Sequence, residues 1–268
     1  MLAQLRQQAI LERIRRTGGV RVAELVRDLG VSDMTIRRDL EVLADRGLIE
    51  KVHGGATIAG AGSTEEPGFA AKSARQQAEK EAIARSAARL VRPGSSVALS
   101  AGTTTWTLAR HLADVPELTV ITNSVKVADV LHRTGRPDQT VVLVGGVRTP
   151  SDALVGPVAV AAIRSMNVDM LILGVHGMSV KAGFTTPNLL EAETDRELVN
   201  AAQRLVVLAD HTKWGTIGIS TIAHLDQAHV VVSDTGLPDE ARAELSEHVG
   251  ELVLADPSGA GEREVSVL

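Results

Sequence analysis

Seven short apolar runs in the second part of the chain constrain its fold more than any other feature. They are SVALS (96–100), LTVIT (118–122), TVVLVGG (140–146), MLILGVHG (170–177), RLVVLAD (204–210), HVVVSD (229–234) and ELVLAD (251–256). Each is close to continuously apolar and rich in β-branched residues, the pattern of strands buried on both faces. Helical stretches separate most of them: TTTWTLARHLAD, SVKVADVLHRTG, PVAVAAIRSM, NLLEAETDRELVNAAQ and PDEARAELSEHVG. Strands alternating with helices imply an α/β unit, a mainly parallel sheet with helices on its faces. Ligands of such sheets bind outside the carboxyl ends of the strands, so the residues that follow each run are where a ligand would sit.

Residues 1–58 follow another plan. A first helix is expected from about Leu2 to Arg16, ending at Gly18-Gly19, and a second in RVAELVRDLG, closed by Gly30. Ser32 then stands where an N-cap belongs, its oxygen accepting the free amides of a third helix. Two short helices joined by Gly-Val-Ser form a helix-turn-helix, whose second helix enters the major groove of DNA. With Ile36 inward on a wheel of 100° per residue, Leu40 and Leu43 fall within about 40° of it. Met34, Arg38 and Glu41 point the opposite way, Thr35 and Arg37 lie on the flanks, and Val31 and Leu48 close the core at its ends. Thr35, Arg37 and Arg38 suit phosphates, guanine edges and thymine methyls. LIEKVHGGATI reads as a hairpin wing turning through His53-Gly54-Gly55, with Lys51 and His53 near its tip, in reach of backbone phosphate or a minor groove.

Residues 59–68 (AGAGSTEEPG) are small, polar and Gly/Pro-bearing, a linker between a head at 1–58 and a body at 69–268. A helical run from Phe69 continues toward a stop at Pro93-Gly94. The net charge of −5 is uneven: the head carries ten Arg and Lys against eight Asp and Glu, the rest eighteen against twenty-five. The absence of Cys excludes disulfides and thiolate metal sites. No apolar run approaches the roughly 20 residues of a membrane span, and the N-terminus is too charged for a signal peptide, so a cytoplasmic protein without membrane contact is expected. No cofactor is expected, because neither G-x-G-x-x-G after a strand nor G-x-x-x-x-G-K-[ST] occurs.

In the body, SAGTTT (Ser100 to Thr105) follows a strand and opens a helix. Gly102 lets backbone approach a ligand, and Thr103, Thr104 and Thr105 offer hydroxyls beside free helix-start amides, a seat for phosphate. Asn123 in TNS and Gly145 and Gly146 in VGG also stand at strand ends. Lys213 follows another strand, placed to pair with a phosphate or carboxylate. Thr185, Thr186 and Glu191 offer hydrogen-bonding groups to a ligand.

The segment GGVRVAELVRDLGVSDMTIRRDLEVLADRGLIEKVHGGA (18–56) closely resembles the winged head of the DeoR family of bacterial transcriptional regulators, with T-I-R-R-D-L and H-G-G-A its specific motifs. The resemblance continues to about Asp234, and GVHGM (174–178), GFTTPN (183–188) and ADHTKWG (209–215) match family signatures. It implies a winged helix-turn-helix followed by a sensor on the fold shared with ribose-5-phosphate isomerase and CoA transferases. The implied partners are double-stranded operator DNA, a phosphorylated sugar or related effector, and further copies of the chain in a homodimer or homotetramer. The implied function is a repressor of a sugar or carbohydrate catabolic operon whose operator affinity the effector modulates. Lys51 stands where many members have Arg, Ser100 and His176 where many have Asp, and His211 where many have a small hydroxyl residue. The two histidines lack a third ligand at convincing spacing, so no metal is expected; they are expected to reshape the sugar-facing side of the pocket. The competing reading is an isomerase-like enzyme carrying an accessory DNA-binding head, with Asp195 as general base where such isomerases carry a glutamate.

Overall fold

The computed structural model describes residues 3–17, 19–46, 48–52, 54–58, 68–134 and 136–259. The chain divides into two compact units, Met1–Gly62 and Ser63–Leu268.

The first unit contains α1 (Ala3–Thr17), β1 (Gly19–Arg21), α2 (Val22–Leu29), α3 (Asp33–Asp45), β2 (Ile49–Val52) and β3 (Gly55–Ile58). Helix α2 stops because Gly30 adopts φ 65° and its amide turns back to the Val26 carbonyl at 3.0 Å. Helix α3 starts where the Ser32 Oγ accepts the Thr35 amide at 3.3 Å. Ile10 and Ile14 of α1, Leu25 of α2, and Ile36, Leu40 and Leu43 of α3 bury together against Ile49 and Ala56 of the hairpin. Met34, on the opposite side of α3, is 80% exposed, so the wheel orients this helix correctly. Strand β1 was not expected: three residues are too few to show a period, and its pairing with β3 is non-local.

The second unit runs α4 (Phe69–Ser73), α5 (Gln77–Ala88), β4 (Ser96–Leu99), α6 (Thr103–Leu112), β5 (Thr119–Thr122), α7 (Val125–Thr134) and β6 (Thr140–Leu143). It continues with β7 (Val147–Arg148), β8 (Leu154–Val155), α8 (Pro157–Ile163), β9 (Val168–Gly174), β10 (Gly177–Ser179), β11 (Gly183–Thr186) and α9 (Leu189–Ala201). It ends with β12 (Ala202–Leu208), β13 (Ser220–Ala223), β14 (Val230–Asp234), α10 (Asp239–His248) and β15 (Leu252–Ala255). All seven apolar runs become strands of one sheet, in the order β15-β14-β12-β9-β4-β5-β6, with every neighbouring pair parallel.

Alternation along each strand feeds two cores. Met170 and Ile172 of β9 join Val206 and Leu208 of β12 and the inner faces of α5, α6 and α7. Leu171 and Leu173 join Leu205 and Val207 and the residues of α8, α9 and α10. Continuous hydrophobicity in these runs therefore has its expected cause, helices covering both faces.

Three expectations need correction. The single helical run from Phe69 breaks between α4 and α5, where Gln76 takes a left-handed φ of 49°. Lys80 explains how the break is sustained, its Nζ donating to the carbonyls of Lys72 at 2.5 Å and Arg75 at 2.6 Å. The run ending in Gly145-Gly146 leaves the sheet at Leu143, and the glycines lead into the β7–β8 ribbon. A second, antiparallel sheet, β10-β11-β13, was not foreseen, because its strands are only three or four residues long. The 59–67 part of the linker lies outside the described residues.

Candidate functional site

In the first unit the exposed face of α3 carries the residues expected from the sequence to face DNA. Ser32 is the N-cap, and its hydroxyl lies 2.8 Å from that of Thr35. Arg37 is exposed and held by Asp33 one turn earlier, as an i,i+4 ion pair. Arg38 is exposed and makes no hydrogen bond or ion pair among the described residues. Gly54, with φ 76°, is exposed at the hairpin tip, and its carbonyl accepts the Val22 amide at 2.9 Å.

Gly55 does not belong to that tip. It is buried in β3, paired with Val52 on one side and Arg21 on the other, and a Cβ there would lie 2.1 Å from the Val20 carbonyl oxygen. The missing Cβ is what permits this close strand packing. Lys51 lies on β2 with its side chain outside the described residues, as is all of His53. The sequence reading missed Asp39, 3% exposed and bound by Arg6 and Gln7 of α1. The same wheel places Asp39 within about 60° of Ile36, so an acid on the inner face was legible.

In the second unit the strand order reverses between β4 and β9: the chain adds β5 and β6 on one side of β4, then β9, β12, β14 and β15 on the other. Such a switch point opens a crevice at the carboxyl ends. Ser100 and Gly174 end the two strands there, and the fully buried Ser100 Oγ accepts the Gly174 amide at 3.0 Å. A Cβ on Gly102 would lie 3.1 Å from Thr105 Oγ1 and 3.9 Å from the Gly174 Cα, so this glycine permits close approach of the two strand ends.

The three threonines of SAGTTT divide. Thr105 is fully buried and donates to the Gly102 carbonyl at 3.1 Å, a structural bond. The Thr103 and Thr104 hydroxyls make no hydrogen bond among the described residues, although each residue is 7% exposed. Beside them Asn123, fully buried, accepts the Ala101 amide at 2.8 Å through Oδ1, while its Nδ2 has no partner among the described residues. A buried unpartnered donor calls for an acceptor.

Cations gather on the same side. Lys80, absent from the sequence reading, is 5% exposed on α5. Burial pushes its ammonium down to about 8; Asp210 opposes that, and Lys213, Arg75 and Lys72 add to it. Its signal was present in the sequence: Ile83, Ala84 and Ala87 follow it at helical spacing on the inner face. Burial drives Asp210 upward, but Lys213, the Thr212 hydroxyl, Lys80 and His211 outweigh it and hold the carboxyl below its ordinary range. A cleft of about 440 Å³ between α5 and α6 is lined by Lys80, Gln77, Thr103, Trp106 and Arg110.

Other expected site residues have structural employment. Thr185 donates to the Gly177 carbonyl at 3.3 Å and accepts the Gly218 amide at 2.9 Å, which commits it to the small sheet. Glu191 is not a solvated acid: it accepts from Thr149 at 2.7 Å and Thr186 at 3.3 Å, tying the β7–β8 ribbon to β11. The contacts of Gly145 and Gly146 are with β8 and α8; Gly146 has φ 139°, and a Cβ there would lie 2.6 Å from the Val155 carbonyl oxygen. They shape the ribbon.

His176 is half-buried just past β9, its amide bonded to the Thr185 carbonyl at 3.1 Å. His211 is oriented by Asp234, which accepts its Nδ1 at 2.8 Å and its amide at 2.8 Å, and also the Gly236 amide at 2.8 Å. A carboxylate only accepts, so Nδ1 carries the proton and Nε2 is the other functional nitrogen. The one trio within chelating reach among the described residues is Glu244, Glu247 and His248 on α10, which includes neither His176 nor His211.

Asp195, the base required by the enzyme reading, is 7% exposed. Burial first, then the like charge of Glu191, raises its carboxyl well above the ordinary range, while Arg196 opposes them.

Comparison with known proteins bears on both units. The DeoR-like helix-turn-helix domain matches residues 6–60 and the DeoR C-terminal sensor domain matches residues 75–235. The chain is 35% identical to the uncharacterized HTH-type transcriptional regulator YgbI of Escherichia coli (strain K12), covering 93% of this chain and 97% of that one. It is 35% identical to the HTH-type transcriptional regulator GlpR of Haloferax volcanii, covering 91% and 95%. With the transcriptional repressor AccR of Agrobacterium fabrum it shares 34% identity over 86% and 89%. Among solved structures, a D-ribose-5-phosphate isomerase in complex with phospho-erythronic acid gives a distant likeness, TM-score 0.38 at 12% identity over 50% of this chain and 52% of that one. The three relatives matched over most of their length are named as transcriptional regulators or a repressor, not as enzymes.

Proposed function

The chain belongs to the DeoR family of helix-turn-helix transcriptional regulators, and from that premise we propose that it is a repressor of a carbohydrate catabolic operon, relieved or reinforced by a phosphorylated sugar or related anion. The observation that carries the effector half is the switch-point mouth. Two unengaged threonine hydroxyls at the start of α6, the unpartnered Asn123 amide and the Lys80 and Lys213 cations gather at the carboxyl ends of β4, β5 and β12. A phosphate satisfies amides, hydroxyls and ammonium groups together, which a neutral sugar does not.

In the head, Arg38 and Thr35 read base edges while Ser32, Arg37 and Gly54 follow the backbone, with Lys51 and His53 as further wing contacts. One such head reads few base pairs, so a homodimer or homotetramer on repeated half-sites accompanies the proposal. The effector acts through its different affinities for the DNA-competent and DNA-incompetent states. His211, held by Asp234, and His176 set which sugar is accepted. A His176→Ala variant that kept the wild-type effector selectivity would remove His176 from this role.

The test is a thermal-shift panel of sugar phosphates and the matching free sugars, followed by operator gel shifts with any compound that stabilises the protein. Stabilisation by phosphorylated compounds and altered operator binding are expected. Stabilisation by free sugars alone would overturn the phosphate assignment.

A further inference from the structure

Helix α3 carries an acid that does not behave like its neighbours. Arg37, Arg38 and Glu41 are exposed, whereas Asp39 is 3% exposed. Its carboxylate accepts from Arg6 Nε at 2.5 Å, Arg6 Nη2 at 3.3 Å and Gln7 Nε2 at 3.0 Å. All three donors come from α1, and Arg6 and Gln7 are each 9% exposed. A two-point guanidinium–carboxylate pair fixes direction as well as distance.

The apolar contacts of Ile36, Leu40 and Leu43 keep α3 on the core but are non-directional, so they resist separation more than rotation. The polar group supplies the missing constraint. Buried ion pairs are poor stabilisers, since apolar pairs of similar volume often replace them without loss, which leaves the direction set by the two-point fork as the contribution at stake here. A rotation of about 20° would move the side-chain surface, about 5–6 Å from the helix axis, by about 2 Å. That exceeds the distance tolerance of a hydrogen bond to a base edge.

We infer that Arg6, Gln7 and Asp39 are positioning residues for operator recognition, a lock that sets the rotation of α3 so that Thr35 and Arg38 meet the bases. This rests on the reading of α3 as the recognition helix. None of the three residues touches DNA in this scheme.

The experiment uses the full-length chain and a duplex selected by the wild-type protein from a random-sequence pool, with a scrambled duplex as reference, at one salt concentration. Arg6→Met with Asp39→Leu removes both charges together. The expected result is wild-type helical content and melting, unchanged binding of the scrambled duplex, and a specific-to-scrambled ratio lowered about tenfold or more. An unchanged ratio in the folded double variant overturns the inference, as does loss of binding to both duplexes in step with loss of fold. Should the double variant fail to fold, Arg6→Lys decides, since it keeps the charge and loses the fork. A lowered ratio with wild-type melting supports the lock, and an unchanged ratio or an unfolded protein overturns it. Arg38→Ala, measured alongside, separates the two ideas. If it too leaves the ratio unchanged, the recognition-helix reading has failed; if it alone lowers the ratio, only the lock has.

Discussion

Replacing Lys80 by methionine should make the pH dependence of folding visible as a difference between two proteins. The unfolded chain holds the Lys80 proton up to about 10.5 and the folded chain up to about 8. Below the lower value both states carry the charge, and the full penalty of burying it is present. Between the two values the folded state has released the proton and the unfolded state has not, so stability rises with pH. Above the upper value both are neutral and the gain is complete. At 1.36 kcal/mol per pH unit, the gap between 10.5 and about 8 corresponds to about 3 kcal/mol. Absolute stabilities are less informative, because the methionine also removes the ammonium donor from the carbonyls of Lys72 and Arg75. The wild-type-minus-variant difference cancels the titrating groups that do not interact with Lys80.

Urea titrations from neutral pH to about pH 10 would measure it, each followed by tryptophan fluorescence. Trp106 and Trp214 both lie in the second unit, so the signal reports that unit alone. The difference should move in the wild type's favour across this window, by about 1.4 kcal/mol per pH unit above pH 8. A flat difference would refute the reasoning, because it would mean that Lys80 keeps an ordinary affinity for its proton. A bound phosphate stabilises the ammonium, so affinity for a phosphorylated ligand should decline above about pH 8 in the wild type and not in Lys80→Met.

Arg38→Ala should lose roughly 1–3 kcal/mol of binding to a selected duplex at fixed salt, with little change on scrambled DNA; unchanged affinity for the selected duplex in a gel-shift titration would exclude a contact. Gly55→Ala should destabilise the head by roughly 1–3 kcal/mol or more, because its Cβ meets the Val20 carbonyl, and a wild-type melting curve by circular dichroism would contradict the close packing. Thr103→Val combined with Thr104→Val should abolish thermal stabilisation by inorganic phosphate, while leaving unliganded melting within a few tenths of a kcal/mol. Retained phosphate stabilisation would place the anion elsewhere. Asp234→Asn should broaden effector selectivity by freeing the His211 ring; unchanged selectivity in the thermal-shift panel would remove the ring from the pocket.

Much of the fold was legible because its strands and helices announce themselves locally. Continuous apolar runs meant strands covered on both faces, and Ser32, Gly30 and the spacing of Ile36, Leu40 and Leu43 marked a capped helix with one inward side. The elements that escaped are those with little local signal. Strands β1, β10 and β11 are short; β1 pairs with β3 and β11 with β13 far along the chain, while β10 pairs with the adjacent β11. The break between α4 and α5 carries no glycine or proline; the Lys72 and Arg75 carbonyls there accept from a lysine further along the chain.

For function, the sequence alone determined which residue types stand at the strand ends and on the outer face of α3, because period and order along the chain dictate both. It could not apportion them. Tertiary structure decided that Thr103 and Thr104 have hydroxyls to offer while Thr105 and Thr185 are spent on backbone, that Gly55 packs while Gly54 turns, and that Glu191 braces a ribbon. It also brought in Lys80 and Asp39, charges whose significance lies in burial. The physical reason is the same throughout: a hydrogen-bonding group serves a ligand or the fold according to what stands across from it, and those neighbours come from elsewhere in the chain.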